Sequence, residues 1–138
     1  MTATRSTPST VLVAIDISKH RHEVLIEDTS RFKRARDVAA WLGLVPRQHS
    51  TGGKQILLGI SKRGNGYLRR LLIHGARSCM MHLDRSKDRL GQLIDALRSR
   101  MHVNKVTVAL AGKIARIVWV VLRQPGTTYL RRPADAAV

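Results

Sequence analysis

Residues 32–78 read FKRARDVAAWLGLVPRQHSTGGKQILLGISKRGNGYLRRLLIHGARS, and two further helical patterns follow, the second ending ALAGKIARIVWVVLRQ at 109–124. This stretch decides the fold. Across 67–83 the apolar positions are Leu68, Leu71, Leu72, Gly75, Ala76, Cys79, Met80 and Leu83. That spacing predicts a helix with one buried face. Ser86 can cap a third helix, with Leu90, Leu93, Ile94, Leu97 and Met101 inward. Asn104 can cap a fourth, apolar nearly all round and therefore central. Residues 34–44 read as a short helix that Gly43 and Pro46 end.

Between these helices lie two glycine-rich segments. Residues 47–54, RQHSTGGK, read as a polar loop in which Gly52 and Gly53 can take positive φ. Residues 56–60 read as a short extended segment, and 62–66 as a second turn with Asn65 as a helix start. Upstream, 11–16 (VLVAID) and 22–27 (HEVLIE) are strand patterns linked closely enough for an antiparallel hairpin. No later segment reads as a third strand, so this hairpin is expected to lack cover. The predicted fold class is mainly α: a small basic helical bundle preceded by a short orphan β-hairpin. The expected organisation is a hairpin unit at 1–31, a helical domain at 32–124 and a loose tail at 125–138.

The formal charge is +16 over 138 residues, and Asp37 is the one acid between Phe32 and Asp84. So basic a chain binds polyanions through counterion release, with nucleic acid the first partner to consider and an anionic membrane surface the second. The cations are spread over helices and turns, which favours a folded binding surface over a disordered arm. Residues 106–122 approach the length of a membrane span. Lys113 and Arg116 stand in their middle, where each would cost about 3 kcal/mol in a bilayer. The single Cys79 forbids an internal disulfide and fits a reducing compartment. The first ten residues, MTATRSTPST, carry no apolar signal core. A cytoplasmic protein is expected. Few aromatics argue against a base-stacking surface.

Three constellations could carry chemistry. In Arg47-Gln48-His49-Ser50-Thr51-Gly52-Gly53-Lys54, a hydroxyl beside a flexible glycine pair can approach a phosphorus, with Arg47 and Lys54 to balance charge; an ordinary surface turn has the same composition. In Ser61-Lys62-Arg63-Gly64-Asn65-Gly66, a basic turn opens a helix whose N–H groups can meet a phosphate, though without the GxxxxGK[ST] spacing. Asp16, at the end of a strand, is a metal-ligand candidate, but one carboxylate cannot hold a catalytic pair. With Arg69, Arg70 and Arg77 placed off the apolar helical face, the expected nucleic-acid contacts are Arg47, Lys54, Lys62, Arg63, Arg69, Arg70 and Arg77.

The segment AAWLGLVPRQHSTGGKQILLGISKRGNGYLRRLLIHGARS, with VALAGKIARIVWVVL after it, resembles the C-terminal domain of insertion-sequence transposases of the IS-one-ten type. VLVAIDISKHRHEVLIE resembles the opening hairpin of that family's RuvC-like, RNase H-fold half. The resemblance implies DNA transposition by an oligomer guided by an element-encoded RNA. It implies Mg²⁺ held by aspartates and a glutamate, and a serine that forms a covalent link to DNA. Asp16 matches the first metal aspartate, and Ser50-Thr51-Gly52 the nucleophile region. Two departures follow. Typical members place serine directly before the glycine, where this chain has Thr51, so either Ser50 or Thr51 would attack. Between Glu27 and Phe32 stand four residues where the family places most of the RuvC-like fold. The expectation is an internally deleted transposase, catalytic by family through Ser50, Thr51 and Asp16, that binds DNA, with guide RNA a second candidate, and holds no productive Mg²⁺. The alternative is a non-catalytic nucleic-acid-binding protein that pairs with full-length transposase.

Overall fold

A computed structural model describes residues 11–17, 20–26, 31–86 and 89–124. In chain order the elements are β1 (Val11–Ile17), β2 (His20–Ile26), α1 (Ala35–Trp41), β3 (Pro46–Thr51), β4 (Lys54–Ile60), α2 (Gly66–His82), α3 (Arg89–Arg98) and α4 (Val103–Arg123). The mainly helical bundle behind a hairpin is the architecture found. The expected turn at 28–30 and tail at 125–138 lie outside the described residues, as do the side chains of β1, β2, Ser50 and Thr51.

Helix α4 is the centre of the bundle. Val106, Thr107, Leu110, Ala111, Ala115 and Val118 are buried along it, and α1, α2 and α3 all pack against it. The core adds Val38, Leu42 and Leu44 from α1 and its exit, Leu68, Leu72, Ala76 and Met80 from α2, and Ile94 from α3. Burying such a face is what holds helices of this length, since propensity alone leaves them marginal. The buried Thr107 hydroxyl is satisfied locally, donating to the Val103 carbonyl at 2.9 Å. On α3, Leu93 stands outward, unlike its expected neighbours Leu90, Ile94 and Leu97. The cap of α4 is His102, not Asn104: the imidazole Nδ1 accepts from the Asn104 backbone N–H at 3.2 Å. The helix begins one residue before the side chain that preference favoured.

Helix α1 ends in a Schellman motif. The Gly43 N–H donates to Ala40 and the Leu44 N–H to Ala39. Gly43 itself lies in the left-handed region, at φ 69°. The same end meets the 61–64 turn: Ser61 donates to Val45 and Lys62 to Gly43. Contact is so close that a Cβ on Gly64, itself at φ 77°, would overlap the Trp41 carbonyl oxygen. Phe32 and Trp41 add a tilted ring contact at 5.5 Å beside this junction.

Two hairpins complete the fold. β1 and β2 pair from Val11↔Ile26 to Ile17↔His20 as a separate two-stranded sheet. They are not without cover: both strands lie against α2, and β1 also against α4. The second hairpin corrects the loop expected at 47–54. β3 and β4 pair from Pro46↔Ile60 to Thr51↔Lys54, joined by Gly52 and Gly53 alone. The two glycines have φ values of 61° and 80°. Positive φ at both central residues is the mark of a type I′ turn, whose twist suits a two-residue hairpin. No helix among the described residues is long and apolar enough to cross a membrane.

Two glycines separate packing from propensity. Gly64→Ala should destabilise the chain by about 2 kcal/mol or more, through its backbone clash and positive φ. A Cβ on Gly112, inside α4, would meet nothing within 4 Å. Gly112→Ala should therefore stabilise the chain by about 0.5–1 kcal/mol. Urea unfolding of the two variants beside the parent measures both.

Candidate nucleic-acid interface

The basic front is assembled from three adjoining pieces. The β3–β4 hairpin comes first. Arg47 is exposed near its base, where the register shifts between Pro46 and Gln48. Opposite that irregularity is Gly59, as expected of a strand glycine at a bulge. Lys54 is exposed at the far end, directly across from Thr51, with Ser50 across from Gln55. Arg47 and Thr51 are four strand residues apart, about 13 Å. Arg47 and Lys54 therefore do not flank the hydroxyl pair together: Lys54 stays with the tip, while Arg47 goes with the base.

The second piece is the 61–64 turn. Its backbone is fixed to the end of α1, and its Lys62 and Arg63 side chains are exposed. Lys62 adopts a left-handed backbone, at φ 56°. Such a conformation costs a residue with a Cβ about 1–2 kcal/mol. The cost is met by the Lys62 N–H bond to the Gly43 carbonyl at 3.2 Å and by the glycines on either side of the junction. The result is a rigid mount for two cations.

The third piece is the outer face of α2. Asn65 caps the helix, its Oδ1 accepting from the Tyr67 and Leu68 N–H groups at 2.9 and 3.2 Å. Those two donors are therefore engaged within the chain. An anion arriving here meets side chains. At about 100° per residue, Tyr67, Arg70, His74, Arg77 and Met81 fall in a stripe about 80° wide, opposite the buried face. All five are exposed. Tyr67 and His74 were not singled out by sequence, although their i, i+3, i+7 spacing with Arg70 was a usable signal.

Arg69 belongs elsewhere. It is half-buried, and one guanidinium nitrogen donates to the Leu42 carbonyl at 3.0 Å and the Arg63 carbonyl at 2.9 Å. It ties the exit of α1 to the basic turn. Its neighbour Arg70 points about 100° further round the helix. That direction is exposed and clear of the junction. Of the seven cations proposed from sequence, six are on the surface and the seventh is a clamp.

Metal chemistry finds little support in the donor set. Among the described residues no three His, Cys, Asp or Glu side chains gather to hold an ion. Asp37 accepts from the Arg34 backbone N–H, Asp84 from Ser86, and Asp95 pairs with Arg85 at 3.0 Å. Asp16 stands across from Arg21 in the β1–β2 register, and its side chain is outside the described set. The carboxylates described do not fit a two-ion site.

Comparison with known proteins gives this geometry relatives. Residues 19–90 match the model of the "Transposase IS116/IS110/IS902 family". The match starts within the β1–β2 hairpin and runs across the four residues that separate Glu27 from Phe32. The chain is 48% identical over 102 residues to the transposase for insertion sequence element IS1111A of Coxiella burnetii, covering 74% of this chain and 28% of that protein. It is 49% identical over 102 residues to the transposase for insertion sequence element IS1328 of Yersinia enterocolitica, covering 74% of this chain and 30% of that one. The chain thus spans less than a third of the length of these relatives. No solved structure matches it.

The adjacent arginines of α2 should separate cleanly. Arg69→Ala should lower stability by about 1–3 kcal/mol, because two backbone carbonyls at a close junction lose their donor. Arg70→Ala should stay within about 0.5 kcal/mol of the parent. Thermal unfolding reads the difference, and equal effects would show that the Arg69 clamp contributes nothing.

Proposed function

We propose, for a chain that belongs to the IS116/IS110/IS902 transposase family, that it serves insertion-sequence transposition by binding DNA through the phosphate backbone. The observation that carries this reading is the exposure of Arg47, Lys62, Arg63, Arg70 and Arg77, none of which has an acid partner among the described residues. Lys54 adds to them along the hairpin. Phosphate contact of this kind positions a protein on a duplex without reading sequence. A structured guide RNA would present the same charge, and the implied partners are DNA, such an RNA, or both.

The chain's own residues do not supply autonomous strand cleavage in this reading. The hairpin tip offers Ser50 and Thr51 as hydroxyl nucleophiles, with Lys54 across the turn to balance a developing oxyanion. Among the described residues no three His, Cys, Asp or Glu side chains gather to hold an ion that could assist that hydroxyl. A second reading, pairing with full-length transposase, draws on the same hairpin: Ile56, Leu57 and Leu58 are exposed, Leu57 at 67%. Large apolar side chains left open in this way mark an interaction surface.

Duplex binding should weaken steeply with salt. Contacts from about six cations give a slope of log K against log salt near −5, and a slope shallower than about −2 would remove these cations from the interface. Lys62→Ala with Arg63→Ala should weaken binding to all sequences alike. Incubation with target DNA, Mg²⁺ and candidate guide RNA, followed by a denaturing gel, should give no protein–DNA adduct. An adduct lost in Ser50→Ala or Thr51→Ala would overturn the non-catalytic reading and identify the nucleophile.

A further inference from the structure

Among the described residues β4 pairs with β3 alone, so its far edge carries no strand. The two strands differ as edges. β3 opens with Pro46, and its register shifts between Pro46 and Gln48, both of which discourage a further strand. β4, KQILLGI, has no proline and a single charge, Lys54. All of it is exposed except Ile60, which is half-buried. By strand alternation Ile56 and Leu58 share one face of the ribbon and Leu57 stands on the other, so both faces carry exposed apolar side chains. In a two-residue hairpin the residues flanking the turn, here Thr51 and Lys54, exchange hydrogen bonds, and bonded pairs then alternate along the ladder. The Ile56 N–H therefore points to β3, while those of Gln55 and Leu57 point to the open edge.

The end of α4 lies near the base of this ribbon. The Arg123 guanidinium donates to the Phe32 carbonyl at 3.0 Å, and the Phe32 ring meets Trp41 at 5.5 Å. The Trp41 carbonyl is packed against Gly64, and the Ser61 N–H bonds the Val45 carbonyl at 2.9 Å, where the hairpin begins and ends. The chain continues past Gln124 as PGTTYLRRPADAAV, residues 125–138. Fully extended, that length reaches about 46 Å, more than the hairpin needs. Within it Thr127, Thr128, Tyr129 and Leu130 form the one run that favours a strand, set between Pro125-Gly126 and Pro133. β4 runs from the tip of the hairpin to its base. A segment that leaves the base toward the tip runs antiparallel to it, which requires no long crossover.

We propose that residues 127–130 of the same chain add to the open edge of β4 as a third, antiparallel strand. The proposal stands apart from the DNA-binding reading above. Its side-chain logic is that of alternation: Tyr129 and Leu130 fall on opposite faces of the sheet, as Leu57 and Leu58 do, so each face gains one apolar cover. The added strand turns a marginal two-stranded ribbon into a three-stranded sheet and steadies the strand that faces Ser50 and Thr51. It also closes the edge of β4 to a strand from any other protein. The last residues of the chain thereby act as a latch on the hairpin.

The test is site-resolved amide exchange by NMR on the full chain without nucleic acid. The Gln55 and Leu57 N–H groups should exchange about tenfold or more slowly than in a Thr128→Pro, Tyr129→Pro double variant. One of any two neighbouring N–H groups in a strand faces its partner, so the double variant removes a ladder bond in either register. Protection along α4 should be the same in both chains, which shows that the variant is folded. Nuclear Overhauser contacts should join the Tyr129 ring to the methyl groups of Ile56, Leu57 or Leu58. Protection at Gln55 and Leu57 should not change on tenfold dilution. Four results overturn the inference: Gln55 and Leu57 amides that exchange as fast as those of an open edge, protection that survives both prolines, protection that rises with chain concentration and so assigns the edge to a second copy, or no contact from Tyr129 to β4.

Discussion

The junction between the end of α1 and the 61–64 turn sets the rest of the structure in place. Two backbone segments touch there with no room for a side chain, at Gly43 and Gly64, and Arg69 bridges their carbonyls. The chain enters the β3–β4 hairpin from one side of this junction and leaves it from the other. Helix α2 starts immediately after it. The hairpin's exit, the Lys62 and Arg63 mount and the first turn of α2 are consequently held by one set of backbone hydrogen bonds. The cationic front is rigid at its base and open at the hairpin tip.

Rigidity there bears on binding energetics. An exposed lysine or arginine loses rotamer freedom when it meets a phosphate, and a flexible loop would lose backbone freedom too. The left-handed Lys62 has already met its conformational cost in the free protein. The hairpin tip differs: a Cβ added to Gly52 or Gly53 would meet nothing within 4 Å, and β4 exposes Ile56, Leu57 and Leu58. A free two-stranded ribbon is marginal in water. Its best-supported end is the base, beside the hydrogen bond from Ser61 to Val45.

The central helix divides its sequence between two faces. Its inner face carries the core to which α1, α2 and α3 all contribute. Its outer face carries Lys105, Lys113 and Arg116, the last two of which count in the sequence only as obstacles to a membrane span. At the C-terminal end the Arg123 guanidinium sits 5.1 Å from the Trp119 ring and donates to the Phe32 carbonyl at 3.0 Å. That contact fastens the start of the helical domain to the end of its longest helix.

Periodicity alone determined much of this protein. The buried faces of α2 and α4 follow from apolar spacing, because a helix must bury a stripe of that period whatever its neighbours are. The charge balance pointed to a polyanion, and the motif spacing to a family. The β3–β4 hairpin was legible in part: Gly52-Gly53 is a type I′ signal, but PRQHST lacks the apolar alternation that marks a strand covered on one face. The His102 cap was missed because cap preference ranks residue types and does not say where the chain enters the helix. Only the tertiary structure separated Arg69 from Arg70. Both lie off the apolar stripe in sequence, yet one turns toward two carbonyls brought up by residues 27 and 6 positions away, and the other toward water. Which cation is a clamp and which is a contact depends on backbone approaches distant in sequence, and local patterns carry no record of those.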